Sequence, residues 1–354
     1  MQRNFHALTV SETQKVIGGA ATSVIFKVPT ALLDRFEWTA GQHLTVRFRI
    51  KGEEYRRCYT ISNPPGSALR ITVKRVKGGI VSNYIGDTLS VGDTVEVMPP
   101  FGQFTLSPGN LKRRTHYFFG AGSGITPLYA MIEAVLTGEP HSMAHLILGN
   151  TNANSIIFRD DLVQLQVQHP QRFTARHILS RPALLSWFTP WRTGQLDADA
   201  IQASISETPP VAQDNQFWIC GPGTMNADVR TALHNLDVPD NRIHTESFGG
   251  DSERDMSVAG VAATARIELN GVSTEVPVDA GQTILEASRS AGLNPPFSCQ
   301  SGVCGACVAY LTDGAVHMRS RMALEDSDIS KGLILSCQSV ATRKSIALKF
   351  ENKG

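Results

Sequence analysis

Apolar and polar residues alternate with period two in Leu44-Thr45-Val46-Arg47-Phe48-Arg49-Ile50 and again in Leu69-Arg70-Ile71-Thr72-Val73-Lys74. Such alternation buries one face of a sheet and leaves the other toward water. Gly and Pro interrupt these runs at Gly41, Gly52, Pro64-Pro65-Gly66, Gly78-Gly79, Gly92 and Pro99-Pro100. Several short strands at this spacing predict an antiparallel β-barrel over residues 1–110.

From Arg114 onward the pattern changes to strands alternating with helices. Strands are predicted at 117–119, 145–148, 173–179 and 217–220. Helical spacing covers 127–136, stopped by Gly138, and then 159–168 and 224–235. This alternation predicts a parallel sheet with helices on both faces, an α/β domain over 111–248. Residues 249–264 are small or charged and show no period, as a linker does. Within 265–354, strands at 265–269 and 273–278 form a hairpin around Asn270-Gly271, and a helix over 283–291 ends at Gly292. No internal repeat is present.

A length of 354 residues fits two or three domains at about 150 residues each. With 42% apolar residues, 18% charged residues and a net charge of +1, the chain has no electrostatic reason to bind nucleic acid or a membrane surface. Residues 1–10 lack an apolar signal-peptide core, and no stretch approaches the roughly 18 apolar residues of a membrane helix. The expected location is the cytoplasm.

The C-terminal region carries Cys299, Cys304, Cys307 and Cys337, separated by four, two and twenty-nine residues. This is the plant-type spacing for a 2Fe-2S cluster, in which three thiolates come from one loop and a distant segment supplies the fourth. Gly302, Gly305 and Ala306 leave room for backbone N–H groups to approach cluster sulfurs. The alternative is a four-cysteine zinc site, usually built from two short pairs and not from one asymmetric triplet. Cys58 and Cys220, far apart in sequence, read as small residues in a reduced protein.

Two glycine-rich segments fall at predicted strand ends. Gly120-Ala121-Gly122-Ser123-Gly124-Ile125-Thr126-Pro127 joins a strand to a helix, where backbone N–H groups can hold a pyrophosphate, and Cys220-Gly221-Pro222-Gly223-Thr224-Met225 ends a later strand. In an open parallel sheet both lie on the ligand-binding rim. In the barrel, Arg57-Cys58-Tyr59-Thr60 offers an arginine fork, a ring and a hydroxyl, and Gly78-Gly79-Ile80-Val81-Ser82 offers a second anion site. Two candidate phosphate sites in one small barrel favour a dinucleotide. His43 reads as a satisfied strand residue, Glu246 as a strand-end carboxylate, and Trp187 and Trp191 as local packing beside a Pro-rich stretch.

Together with Glu246-Ser247-Phe248, these motifs occur in the order of the ferredoxin-NADP reductase superfamily. With the C-terminal cysteine set, the chain resembles the reductase components of bacterial multicomponent oxygenases. The resemblance implies an FAD-binding barrel, an NAD(P)-binding α/β domain and an α+β ferredoxin domain of the β-grasp type. It assigns Arg57, Tyr59 and Thr60 to the flavin, with Thr60 near its reactive nitrogen, and Gly78, Gly79 and Ser82 to its phosphates, with Lys74 among the cofactor contacts. Gly120, Gly122, Gly124 and Thr126 are assigned to the nicotinamide dinucleotide. Cys220, Gly221 and Pro222 lie beside the nicotinamide, with Thr60 and Cys220 at the reacting centre and Phe248 near the flavin. The four cysteines hold the cluster. Where many relatives have Gly-Asn-Arg, this chain has Gly149-Asn150-Thr151. Ser180-Arg181 stands where a 2′-phosphate clamp would, which leans the coenzyme toward NADPH.

The implied activity is transfer of electrons from NAD(P)H through FAD and a 2Fe-2S cluster to an oxygenase, in aromatic, acyl-CoA or steroid catabolism. A hydride donor and a one-electron acceptor need an intermediary able to split the pair, which is flavin chemistry. Contact with the oxygenase is expected to be transient. Two alternatives are a reductase for a non-oxygenase acceptor, such as a hybrid-cluster protein, and a redox-sensing or scaffolding module.

Overall fold

The computed structural model describes residues 4–183, 188–248, 255–324 and 326–350. Trp187 and residues 249–254 of the expected linker lie outside them. The chain forms two compact units, the larger made of 5–55 and 59–247 and the smaller dominated by the segment from Phe248 onward.

The N-terminal part is a sheet of β1 (His6–Val16), β2 (Ala21–Lys27), β3 (His43–Ile50), β4 (Glu53–Thr60), β5 (Leu69–Lys74) and β6 (Thr94–Val97), with α1 (Ile80–Asp87) between β5 and β6. The strand order is β4-β3-β6-β1-β2-β5. A single antiparallel bridge, Ile61 to Ile71, joins the two ends into a barrel, supported by Ser62 N–H donating to the Arg70 carbonyl at 2.8 Å. The alternating residues read from the sequence point inward: Leu44, Val46, Phe48, Leu69, Ile71 and Val73 are all buried. Burial at about 1.5–3 kcal/mol per large apolar side chain makes this period the main force selecting the strand register.

The following α/β part contains β7 (Thr115–Ala121), α2 (Ile125–Gly138), β8 (Met143–Asn150), α3 (Arg159–Gln168), β9 (Phe173–Leu179), β10 (Arg192–Thr193), α4 (Ala198–Glu207), β11 (Asn215–Cys220), α5 (Gly223–His234) and β12 (Ile243–Glu246). Its strands run parallel in the order β10-β9-β8-β7-β11-β12. Tyr117, Phe118 and Phe119 are fully buried in succession, because both faces of a parallel sheet are covered. Sequence patterning did not anticipate α4, where small alanines blur the apolar stripe. Its start is nevertheless marked by Asp197, whose carboxylate accepts from Ala200 N–H at 2.9 Å.

At the end of the sheet opposite the glycine-rich turns, Trp218 Nε1 donates to His116 Nδ1 at 3.2 Å, which puts the imidazole proton on Nε2. Nε2 then donates to Glu139 Oε2 at 3.0 Å, and Ser142 Oγ donates to the same oxygen at 2.7 Å. His116 and Glu139 are wholly buried. Although burial opposes ionisation of Glu139, these donors and Arg114 hold its carboxyl below the usual range.

Arg70, on β5, ties the barrel to the α/β part. Its guanidinium lies 5.1 Å from the Phe158 ring centre and 5.8 Å from that of Tyr129, while Nη2 donates to the Ser62 carbonyl at 2.7 Å. Nearby, a methyl on Gly41 would overlap the Phe104 carbonyl oxygen, so only glycine allows this approach.

In the smaller unit, β13 (Ala263–Leu269) and β14 (Val272–Val278) form the expected hairpin, with Asn270 and Gly271 both at positive φ. There follow α6 (Ile284–Ser290), β15 (Val308–Asp313), β16 (Val316–Met318), α7 (Asp326–Ser330), β17 (Leu333–Leu335), β18 (Ser339–Ala341) and β19 (Ser345–Lys349). The main order, β14-β13-β19-β15-β17 with a parallel β13–β19 pair at its centre, is that of a β-grasp sheet. Thr283 and Glu286 cap α6 reciprocally. The end of the segment expected to be linker is built into this sheet. Val261 N–H donates to the carbonyl of Ala341 in β18, which pairs with β16 in a separate two-stranded sheet, and β13 begins at Ala263; a Cβ on Gly260 would meet Val340 Cβ at 2.8 Å.

His145 and His177 in the α/β part are buried, and burial pushes both imidazoles down to about 4. Between pH 6.5 and 4 the unfolded chain takes up protons that the folded one refuses, so these residues withdraw stability as pH falls across that window. The expected cost is roughly 3 kcal/mol apiece at about 1.4 kcal/mol per pH unit. Urea unfolding at pH 7 and 5 should show a smaller pH difference for the His145→Gln, His177→Gln double variant than for the parent.

Candidate functional site

The strand order of the α/β sheet reverses beside β7: the chain runs outward through β8 and β9, then returns to the other side with β11. Such a switch point opens a crevice at the carboxyl ends of the two strands. The parallel register pairs Cys220 directly with Gly120, so the two glycine-rich segments lie side by side there. The approach is closer than any side chain permits. A Cβ on Gly124 would overlap the Cys220 carbonyl oxygen and lie 3.1 Å from Gly221 N, and one on Gly120 would meet Leu128 Cδ1 at 2.8 Å. Thr126, in the first turn of α2, donates its hydroxyl to the Ser123 carbonyl at 2.9 Å, stiffening the turn. Backbone N–H groups at the start of α2 carry the positive end of the helix dipole, as a pyrophosphate requires. Lys74 of β5 brings a cation to this turn, its Nζ lying 3.3 Å from where a Gly122 Cβ would stand.

Ser180 and Arg181 reach the same rim. Their N–H groups donate to the carbonyls of Asn150 and Thr151 at 3.0 and 2.8 Å, so the departure at Thr151 and the candidate clamp are neighbours.

On the barrel, β4 carries Arg57, whose Nη1 donates to the Arg56 carbonyl at 2.7 Å, and then Tyr59 and Thr60. Tyr59 packs on the barrel core and Thr60 is buried. Gly79 is the N-cap of α1, and Ser82 in the first turn accepts from Val76 N–H at 3.2 Å. Gly78 has φ +72° and Gly79 approaches Ser82 too closely for a Cβ, so the turn presents bare backbone. Phe248 is half-buried directly after β12 and its Glu246.

Glu246 pairs with Cys220 across β11 and β12. Its side chain is partly exposed, but Oε2 is buried with no hydrogen-bond partner among the described residues. Burial pushes this carboxyl up to about 7, against a smaller opposing pull from His43. Burial, and then the nearby Glu246, raise the Cys220 thiol well above its ordinary value, so it stays protonated. Glu246 stood outside the expected site set, since a strand-end carboxylate has no distinctive spacing; its pairing with Cys220 appears only once β11 and β12 are aligned.

The four C-terminal cysteines are buried together. Cys299 hydrogen bonds with Cys304 and Cys307 with Cys337, while charge coupling links Cys299 to Cys337 and Cys304 to Cys307. The sulfurs therefore sit as two pairs; among the described residues no three His, Cys, Asp or Glu side chains are gathered as ligands of a single ion. Thiolates this close repel unless a cationic core takes them as ligands, and a binuclear iron centre does so. Each sulfur also accepts an N–H: Cys299 from Ser301 at 3.4 Å, Cys304 from Cys299 at 3.4 Å, Cys307 from Cys337, and Cys337 from Gly302. Gly302 and Gly305, at φ +82° and +63°, let the loop turn its amides inward. The residues fit a 2Fe-2S cluster.

Comparison with known proteins finds three matching regions. Residues 8–106 match the oxidoreductase FAD-binding domain, 118–231 the oxidoreductase NAD-binding domain and 267–342 the 2Fe-2S iron-sulfur cluster binding domain. The chain is 33% identical to one subunit of the 1,2-phenylacetyl-CoA epoxidase of Escherichia coli K12, over 99% of both chains. It is 32% identical to the ferredoxin reductase component of 3-ketosteroid-9-alpha-monooxygenase of Rhodococcus rhodochrous, over 93% of this chain and 92% of that one. Phthalate dioxygenase reductase shares the fold, with a TM-score of 0.64 at 24% identity over 98% of both chains. This chain belongs to the family of FAD- and NAD-binding oxidoreductases with a 2Fe-2S domain that serve as reductase components of oxygenases. It is an electron-transferring enzyme whose cofactors are FAD, NAD(P)H and a 2Fe-2S cluster.

Two outcomes test this geometry. Gly124→Ala should force the turn away from β11 at a cost of about 1–3 kcal/mol, lowering NAD(P)H affinity roughly tenfold to a hundredfold. Coenzyme titrations followed by flavin absorbance would measure it. For Glu246, the folded carboxyl holds its proton to about 7 while the unfolded one loses it near 4.5, so the residue withdraws stability as pH rises through that interval, opposite in sign to the buried histidines. Glu246→Gln should therefore stabilise the protein at pH 8 and leave it nearly unchanged at pH 4, as read from urea midpoints.

Proposed function

We propose that this chain feeds electrons from NADPH to an oxygenase that acts on an acyl-CoA or a related aromatic or steroid compound, and that it works in the cytoplasm, where NADPH and reduced thiols are available. The observation that carries the reading is the end-to-end likeness to a component of a phenylacetyl-CoA epoxidase, 33% identical over 99% of both chains. No helix among the described residues is long and apolar enough to cross a membrane. A net charge of +1 offers no steering field, which suits brief contact with the oxygenase.

When bound, FAD would supply the chemistry that takes up a hydride equivalent and releases electrons one at a time. The residues divide the remaining work. As the resemblance assigns them, Arg57, Gly78, Gly79 and Ser82 would hold the flavin pyrophosphate, Tyr59 the isoalloxazine and ribityl region, and Thr60 would lie near the reacting nitrogen. Phe248 would lie near the flavin, as the resemblance implies. Gly120, Gly122, Gly124 and Thr126 hold the NADPH pyrophosphate, with Lys74 balancing its charge. Cys220, Gly221 and Pro222 flank the nicotinamide, and Cys220 acts by shape as a neutral thiol because its pKa is raised. Ser180 and Arg181 grip the 2′-phosphate, a task suited to a guanidinium fork. Cys299, Cys304, Cys307 and Cys337 ligate the cluster.

Arg181→Ala should lose preference for NADPH over NADH while the NADH rate is kept, measured as kcat/KM with ferricyanide as acceptor. The whole reading is tested by supplying the purified chain with NADPH and an acyl-CoA epoxidase oxygenase component. Product formation coupled to NADPH use supports it; ferricyanide reduction without turnover of acyl-CoA, aromatic or steroid oxygenases overturns the assignment of partner.

A further inference from the structure

The residue after the fourth cysteine makes a contact at the cluster site that no motif predicts. Gln338 is 2% exposed. Its Nε2 donates to the Gln300 carbonyl at 2.8 Å and to Cys337 Sγ at 3.8 Å. The Gln300 carbonyl can only accept, so the amide nitrogen must point toward it. Oε1, on the other side, is buried with no partner among the described residues. An amide that leaves a buried oxygen unsatisfied to keep both N–H bonds incurs a desolvation cost, which the two bonds on its nitrogen must offset.

The surroundings hold this side chain in place. A Cβ on Gly302 would come within 3.1 Å of Gln338 Cγ and 2.8 Å of Ser320 Oγ, so the bare backbone of Gly302 makes the room that Gln338 fills. The Gln338 carbonyl accepts from Arg319 N–H at 2.8 Å, and its own N–H donates to the Leu335 carbonyl at 2.9 Å. Gln300, at the other end of the amide contact, has φ +57°, an unusual backbone state for a residue with a side chain, lying between Cys299 and Ser301 in the loop that supplies three of the four sulfurs. Through one amide, the segment bearing Cys337 is fastened to the loop bearing Cys299.

Resting on the cluster assignment, we infer that Gln338 is a positioning residue that sets the reduction potential of the cluster, by donating an N–H to the sulfur of Cys337 while bracing the Cys299 loop at Gln300. The physical basis is charge: reduction adds an electron to an already anionic core, and a donor to a ligand sulfur stabilises the more negative state, raising the potential. The other N–H donors to these sulfurs described above come from backbone, which substitution cannot easily remove. Gln338 supplies a side-chain donor, and so a means of adjusting the potential without altering the loop's course.

The test uses the full-length protein carrying FAD and cluster. Dye-mediated titration of Gln338→Leu, followed by electron paramagnetic resonance, should give a cluster midpoint shifted to more negative values, with iron content and flavin midpoint unchanged. Gln338→Glu, similar in shape but carrying a carboxylate, should shift it further the same way. An unchanged midpoint in a fully loaded Gln338→Leu protein overturns the inference. Should that variant fail to retain its cluster, the parent protein labelled with side-chain-15N glutamine settles the matter by electron–nuclear double resonance of the reduced cluster. A nitrogen coupling that is kept in Gln300→Leu supports the contact, and its absence from the parent overturns it. Loss of 2Fe-2S absorption in the parent itself would instead strike at the cluster assignment.

Discussion

The site depends on a place where two backbones touch with no side chain between them. Gly124 faces the Cys220 carbonyl so closely that a methyl group would overlap it. That approach is possible because β7 and β11 are neighbours in the sheet and end in register, Gly120 opposite Cys220. Remove it, and the amide-lined turn that begins α2 no longer faces the same crevice as the Cys220-Gly221-Pro222 turn. The requirement explains why the two motifs are rich in glycine: they give up side chains to let peptide groups meet each other and a ligand.

The iron–sulfur region solves a different problem with similar means. Four thiols are brought within coupling range in a buried site, where as thiolates they would repel strongly. Each sulfur receives an N–H, and glycine again makes this possible, Gly302 at φ +82° turning its amide toward Cys337. Hydrogen-bond donors and an iron core together offset the accumulated negative charge; neither peptide dipoles nor burial alone would do so.

Much of this was legible in the sequence, for identifiable reasons. The period-two runs at Leu44 to Ile50 and Leu69 to Lys74 specified their own strands because burial enforces alternation, and Asn270-Gly271 specified a turn because both residues tolerate positive φ. The cysteine spacing and the order of motifs identified the cofactors. What could not be read depends on distant parts of the chain meeting. Glu246 beside Cys220 follows from strand order, Arg70 against the Tyr129 and Phe158 rings from domain packing, and Gln338 against Gln300 from the closing of one loop on another. The α4 helix is hard to read because its buried face, Ala200, Ile201 and Ser204, holds a single large apolar residue, so no apolar stripe marks it.

Arg70 gives one of these contacts a wider meaning. The barrel is shut by the bridge from Ile61 to Ile71, and Arg70 fastens that joint through Ser62 on one side while its guanidinium lies against rings of the α/β part on the other. Opening the stave would release the guanidinium from its seat, and undocking the neighbouring rings would free the joint. Through this one side chain, loosening either half deprives the other of contacts, which favours their opening together over separate melting.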